Sequence, residues 1–160
     1  MFRAGILVVS LACAVAAQAG SPRLESINPT GGQRGTELEV TFGGQRLEET
    51  AEIFAYEPGI QILKINSVTN KLVRAQLKIA PDCQLGEHHL RLRTASGLTD
   101  LMTFSVGAFP TINEQEPNNN PSKAQKIALN TTIEGVITSE ETDVFSFEAQ
   151  KDVRIPTAPL

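Results

Sequence analysis

The sequence predicts an all-β protein with one complete β-sandwich followed by an incomplete second one. Apolar and polar residues alternate with a period of two in short segments between residues 23 and 106, as in half-buried strands. Turn-forming glycine, proline and asparagine separate these segments. A polar, proline-containing stretch at 114–121 then interrupts the alternation, which resumes at 133–149. The stretch is too polar to be core and therefore opens a second domain.

About seven strands are predicted in the first domain because alternation is clearest there. In chain order they are 24–27, 37–42, 51–55, 60–65, 72–79, 87–94 and 102–106. Strands of this number and spacing favour an immunoglobulin-like sandwich. One-sided alternation indicates two antiparallel sheets, each with one dry face.

The predicted core is aliphatic and phenylalanine-rich. Val40 and Phe42 share the dry face of their strand with Leu38, and Met102 shares one with Phe104. The chain has no tryptophan, and Cys83 is the single cysteine after residue 19, so no internal disulfide is expected in a processed chain. Cys83 is predicted to be a small buried apolar group.

Two motifs in the first domain resemble the immunoglobulin-like IPT/TIG family. The run INPTGGQRGT at 27–36 followed by LEVTFGG at 38–44 is similar to the opening of such domains, and APD at 80–82 with LG at 85–86 is similar to their later half. The resemblance covers residues 21–107. It implies a non-catalytic domain used for spacing or protein contact.

The second domain resembles the start of a bacterial pre-peptidase C-terminal (PPC) domain. The blocks EPNN at 116–119, AQKI at 124–127, GVI at 135–137 and DVFSFEA at 143–149 occur in that family's order. Residues 108–115 are then a linker, and 116–160 a truncated PPC-like domain that lacks the family's later strands. With so few strands, this part is expected to be less stable than the first domain.

One group of oxygen-bearing side chains is a candidate calcium site. Calcium takes six to eight oxygen ligands from carboxylates, amides and carbonyls. The resemblance to calcium-binding relatives, the collagen-binding modules of bacterial collagenases, points to Glu114, Glu116, Asn118 and Asp143, with Asn119 as a further candidate. The alternative is a solvated linker with Asp143 at a turn. Collagen binding itself does not carry over, because its aromatic surface would lie in strands that this chain lacks.

Residues 1–19 are predicted to be a secretory signal peptide. Arg3 precedes an apolar run at 4–17, and Ala-Gln-Ala at 17–19 suits signal peptidase. The run is too short for a transmembrane span. The protein is therefore expected to be secreted, periplasmic or in the cell envelope through a Sec-type signal. Lipidation of Cys13, after Leu11 and Ala12, is the alternative.

Several other functions are disfavoured. A formal net charge of −4 argues against nucleic acid and anionic membranes. His88 and His89 are adjacent on a strand, point to opposite faces and cannot share a metal ion. The glycine-rich run 31–35 lacks the lysine and helix of a phosphate loop and is predicted to be a turn. No nucleophile elbow, zinc-protease helix or paired CxxC unit occurs in the sequence.

The sequence therefore predicts a non-enzymatic exported binding or spacer module of a bacterial envelope or secreted protein. Its partner would be a protein or a cell-surface polymer. The strip Glu87, His89, Arg91 and Arg93 is the one mixed-charge strand face that stands out. The alternative function is an accessory region of a secreted peptidase whose catalytic part lies outside this chain.

Overall fold

The computed structural model describes residues 20–136 and 142–150, which are almost entirely strands and loops. The strands are β1 (Arg23–Asn28), β2 (Gly31–Gln33), β3 (Glu37–Gln45), β4 (Glu52–Ala55), β5 (Ile60–Val68), β6 (Leu72–Ile79), β7 (Gly86–Thr94), β8 (Gly97–Leu98), β9 (Met102–Gly107), β10 (Thr111–Asn113), β11 (Gln125–Lys126), β12 (Thr132–Glu134) and β13 (Phe145–Ser146). A short 3-10 turn spans Pro121–Lys123. The all-β prediction is confirmed; the predicted signal peptide, Ile137 of the GVI block and the last ten residues lie outside the described part.

Nine strands form a two-layered sandwich between residues 23 and 107. One sheet has the order β1-β3-β6-β5, and the other has the order β2-β9-β7-β4 with β8 paired to β7. Without the short β2 and β8, the seven remaining strands in chain order are β1, β3, β4, β5, β6, β7 and β9. The first, second, fourth and fifth of these form one sheet, and the third, sixth and seventh form the other. This is the strand arrangement of an immunoglobulin-like sandwich. The strand order therefore establishes the immunoglobulin-like fold.

The core lies between the two sheets and consists of the residues that alternate inward. Phe42 on β3, Leu77 on β6 and Phe104 on β9 are fully buried. Cys83 is also buried, with 3% of its surface exposed, as the sequence predicts. Leu38 and Met102 lie at the rim of the core. Each is half-buried, whereas the other inward-facing residues of its own strand are fully buried.

Part of the glycine-rich run that is predicted to be a turn is a strand. Gly31–Gln33 pairs parallel with β9, opposite Ser105–Gly107, and the turn is confined to Arg34 and Gly35. Glycine is required here because a Cβ on Gly31 would collide with the Ser105 carbonyl. A run without apolar alternation gives no strand signal, so the sequence does not reveal it.

The region after Gly107 contains two small parallel pairings. β10 pairs with β12, and β11 pairs with β13. β10 falls inside the segment proposed as a linker. Phe147 and Ala149, expected to continue the last strand, lie beyond β13 and are exposed. Within the described residues, the predicted alternation therefore yields strands of only two or three residues here.

The first sandwich and the following segment touch at one end of the sandwich. The Thr30 amide donates a hydrogen bond to Glu134 Oε1, and Gln33 Nε2 donates to the Ala108 carbonyl at 3.2 Å. The Arg34 amide donates to the Gly107 carbonyl at 3.0 Å. These contacts join the residues in and around β2 to the chain just after β9 and, through Glu134, to β12.

Candidate metal centre after the first sandwich

Three carboxylates from two separated parts of the chain converge in the second region. Oxygens of Glu114, Glu116 and Asp143 all lie within 4.8 Å of one another. Glu114 and Asp143 are half-buried, whereas Glu116 is exposed. Like charges this close repel one another, so a cation would stabilise the arrangement.

Strand pairing positions the two ends of this cluster. The Glu114 amide donates to the Glu134 carbonyl at 2.8 Å, which continues the β10–β12 pairing and fixes Glu114 at the end of β10. The Val144 amide donates to the Asn118 carbonyl at 3.0 Å, and so holds Asp143 beside the EPNN segment. The site is therefore built where two short pairings meet.

Asn118 is the centre of the hydrogen-bond network. Its side chain is fully buried, and its Nδ2 donates to Glu114 Oε1 at 2.8 Å. Its backbone N–H donates to Glu116 Oε2 at 2.9 Å. The remaining polar atom, Oδ1, is buried and accepts no hydrogen bond from the described residues. A buried acceptor without a donor is costly, and a bound cation satisfies it.

The donor chemistry of this group fits calcium. All four predicted residues offer carboxylate or amide oxygens, and hard cations of this kind prefer oxygen. The structure brings Glu114, Glu116 and Asp143 together around Asn118, whereas Asn119 is exposed. Calcium binding here stays a prediction.

Two further residues shape the site, and the sequence patterns did not single out either role. A Cβ on Gly135 would collide with the Glu114 carboxylate, so this glycine makes room for the cluster. Asn120 caps the 3-10 turn, since its Oδ1 accepts hydrogen bonds from the amide of Ser122 at 3.2 Å and its hydroxyl at 2.6 Å. The sequence signal for the role of Gly135 is a glycine within an alternating strand pattern, which often marks a close approach of another group.

The histidine pair is divided between the two faces of β7, as predicted. His88 is buried, with Nε2 at 2.8 Å from the Gln84 carbonyl and 3.6 Å from Cys83 Sγ. His89 faces outward, where its Nδ1 lies 2.8 Å from Glu57 Oε1. Burial raises the pKa of the Cys83 thiol, and Asp82 adds to this. The thiol therefore has the environment of an inert core cysteine.

Glu57 makes a pH-dependent contribution to stability. The His89 amide donates to its Oε2 at 2.6 Å, and this bond, with the His89 side chain, lowers the pKa of Glu57. A depressed pKa in the folded state stabilises the fold above the unfolded pKa, and the gain is lost as pH falls through the folded pKa. The Glu57→Gln variant should lose this contribution, which we expect to stay below about 1 kcal/mol because the side chain is 37% exposed.

Urea unfolding of both proteins at pH values from about 7 to about 3 measures this effect. The stability gap between wild type and Glu57→Gln should close as pH falls below the ordinary glutamate value. Glu87 is exposed and lies on the same face of β7 as His89. Glu87→Gln is therefore the matched control, and it should leave the pH dependence of the unfolding free energy unchanged. A gap that persists undiminished at low pH would contradict the assignment.

Comparison with known proteins adds no family assignment. No protein-family model matches the chain, and no curated protein matches it. Among solved structures, the chain is similar to the Lin-41 filamin domain at 12% identity, with a TM-score of 0.37 over 52% of this chain and 91% of that one. The BIgI domain of the beta protein of S. agalactiae, solved bound to CEACAM1, is 15% identical with a TM-score of 0.32, over 54% and 96% of the two chains.

A third similar structure is SGBP-B of Bacteroides ovatus, from a mixed-linkage glucan utilization locus and solved with a mixed-linkage heptasaccharide. It is 18% identical with a TM-score of 0.32, over 50% of this chain and 24% of that one. The immunoglobulin-like assignment of this chain rests on its own strand order. Across residues 20–136 and 142–150, no helix is long and apolar enough to cross a membrane.

Proposed function

We propose that the chain is a non-catalytic, exported binding or spacer module, and that bound calcium stabilises its second region, which follows the first sandwich. Residues 21–107 form the IPT/TIG-like domain, 108–115 the connection and 116–160 the PPC-like region. The partner is a protein or a cell-surface polymer. Residues 1–19 direct export by a Sec-type signal.

The arrangement around Asn118 carries this proposal. Three carboxylates lie within 4.8 Å of one another beside a buried amide oxygen that no described donor reaches. Calcium supplies the missing positive charge and joins residues 114–118 to the segment around Asp143. Because strands of two or three residues form few hydrogen bonds, calcium binding would contribute much of the stability of this region.

The shape of the molecule supports a binding role over catalysis. Two clefts of about 100 and about 360 Å³ lie between the sandwich and the following segment. Glycine backbone and hydroxyl side chains line most of the smaller cleft, whereas proline, amide and apolar side chains also line the larger one. Glu134 is the charged residue in each. The Glu134 carboxylate accepts the Thr30 amide and so joins the two regions.

Calorimetric titration and thermal unfolding of the full chain with calcium test the proposal. We expect a measurable heat of binding, and a transition of the second region that moves to higher temperature by mass action. Glu116→Gln removes a carboxylate that is exposed and not part of the core, so it should weaken calcium binding about tenfold or more while leaving the fold intact.

Glu87→Gln is the control because it neutralises an exposed carboxylate of the first sandwich, far along the chain from the cluster. It should bind calcium as the wild type does. Magnesium at the same concentration should have a smaller effect, since it needs a tighter octahedral shell. Absence of both heat and a melting shift at about 10 mM calcium would remove the metal from the proposal.

A further inference from the structure

The outer face of the β2-β9-β7-β4 sheet carries one arginine that no acid neutralises. Arg93 Nη2 lies 2.9 Å from Glu52 Oε2, and His89 Nδ1 lies 2.8 Å from Glu57 Oε1. Arg91 lies between Arg93 and His89 on β7, and none of the ion pairs among the described residues includes it. Glu52 and Glu57 are thus occupied, and the positive charge of Arg91 is left for a ligand.

Hydrogen bonds hold the Arg91 guanidinium in one position. Its Nε donates to the Thr99 carbonyl at 3.0 Å, and its Nη2 donates to the same oxygen. Its Nη1 donates to the Tyr56 hydroxyl at 3.4 Å. These bonds engage three of the five N–H groups of a guanidinium, so two remain for a ligand. Two N–H groups in one rigid plane match the two oxygens of a carboxylate, and Arg91 is already ordered to present them.

Two aromatic rings stand beside this guanidinium. Phe54 on β4 is the register partner of Arg91, so the two side chains point to the same face of the sheet. The Tyr56 ring lies next to that of Phe54, with centroids 6.5 Å apart and planes at 48°. Tyr56 is 55% exposed, whereas Phe54 is half-buried. The Tyr56 ring therefore offers a flat apolar surface beside the ordered cation.

A uronic acid, which is a sugar ring with a carboxylate, fits both parts of this surface. The C–H groups on one face of the sugar ring pack against an aromatic side chain, and the carboxylate at its edge reaches the guanidinium. An acidic peptide also offers carboxylates, but its backbone needs N–H and C=O partners. Strand backbone groups lie in the plane of the sheet and not on its face, so this surface favours the sugar.

The formal net charge of −4 does not prevent a carboxylate from binding here. Screening confines the repulsion from distant acids, because the Debye length is about 8 Å at physiological ionic strength. Glu52 and Glu57 are paired with basic side chains, and Asp100, which follows Thr99, forms no ion pair with Arg91. The local charge around Arg91 therefore complements one carboxylate.

We propose that Arg91 and Tyr56 bind a uronic acid unit of an acidic cell-surface polysaccharide. Arg91 binds the carboxylate, the Tyr56 ring packs against the sugar ring, and Phe54 supports Tyr56 from the side. This inference rests on the proposed function, since it takes the chain to be a binding module and names the chemistry of its polymer. The site lies in the first sandwich and does not depend on calcium.

Tyr56 itself reports binding. It is the only tyrosine and the chain has no tryptophan, so tyrosine fluorescence follows this side chain alone. The full chain, expressed with its first 19 residues so that any processing takes place, is titrated with trigalacturonic acid in EDTA, because carboxylates of the sugar bind calcium themselves. We expect a saturable change with a dissociation constant of about 1 mM, since one ring and one ion pair form a small contact. The methyl-esterified trisaccharide should bind about tenfold more weakly.

Substitutions separate the two parts of the site. Arg91→Lys keeps the charge but loses the planar pair of donors, and Arg91→Gln loses both, so binding should weaken about fivefold and more than tenfold. Arg74→Gln is the matched control, because Arg74 is an exposed arginine on β6 of the other sheet, and it should bind as the wild type does. Tyr56→Leu should abolish binding, measured by saturation-transfer NMR. Circular dichroism and melting curves establish that each variant is folded.

Three results would overturn the inference. The first is no saturable change up to about 20 mM trigalacturonic acid. The second is unchanged affinity in Arg91→Gln or for the methyl ester, which would exclude the carboxylate contact. The third is equal affinity for a tetraglutamate peptide, which would assign the surface to acidic proteins. Calcium titration of Glu116→Gln reads a different region, so failure of the calcium proposal and failure of the sugar site are distinguishable.

Discussion

Replacing Phe104 by alanine should lower the free energy of unfolding by about 3–5 kcal/mol. Phe104 lies on β9, opposite His88 on β7, and is fully buried between the sheets. Without tryptophan or a disulfide, packing of aliphatic and phenylalanine side chains is the main stabilising contribution of the sandwich. Removal of the ring leaves a cavity that rigid strands cannot close. Urea unfolding followed by far-ultraviolet circular dichroism measures the change.

Phe109→Ala is the matched control because the same ring there is 44% exposed. Its cost should stay below about 1 kcal/mol, since most of the transfer free energy is absent at an exposed position. Equal losses in the two variants would contradict the location of the core between the sheets.

Replacing Gly59 by alanine should destabilise the sandwich by about 2–4 kcal/mol, through two separable causes. Gly59 precedes β5 and has a φ of +106°, a region that residues with a Cβ avoid. An added Cβ would also lie 2.5 Å from Cys83 Sγ and 3.0 Å from its Cα, so the backbone of the neighbouring turn would have to move. The same unfolding measurement reports the sum.

Gly86→Ala separates the two causes. Gly86 has a similar φ of +112°, but a Cβ there would meet no atom within 4 Å. Its substitution should therefore show the backbone cost alone, about 1–2 kcal/mol. If Gly59→Ala costs no more than Gly86→Ala, the close packing of Gly59 against Cys83 is wrong.

The fold was predictable from the sequence where one sheet face is dry. β6 was predicted at its observed limits because Val73, Ala75, Leu77 and Ile79 alternate with polar or exposed residues and all four are buried. β2 was not predicted, because Gly31–Gln33 has no side-chain period and is held by backbone pairing with β9. Such a strand depends on a partner more than seventy residues later in the chain, which no local pattern contains.

The candidate site was predictable in composition but not in geometry. The resemblance to calcium-binding relatives named Glu114, Glu116, Asn118 and Asp143, and the structure places these residues together. The complete burial of Asn118 was not predictable, because a polar proline-containing stretch is expected to be solvated. Its burial depends on the β10–β12 and β11–β13 pairings, which join segments some twenty residues apart.

Glu134 bonds to both parts of the molecule. Its side chain accepts the Thr30 amide of the first sandwich, and its carbonyl accepts the Glu114 amide. Separation of β12 from the first sandwich would therefore break the Glu134–Thr30 bond together with the Gln33–Ala108 bond. These bonds lie outside the layer between the two sheets, so their loss would leave the buried core of the sandwich in place.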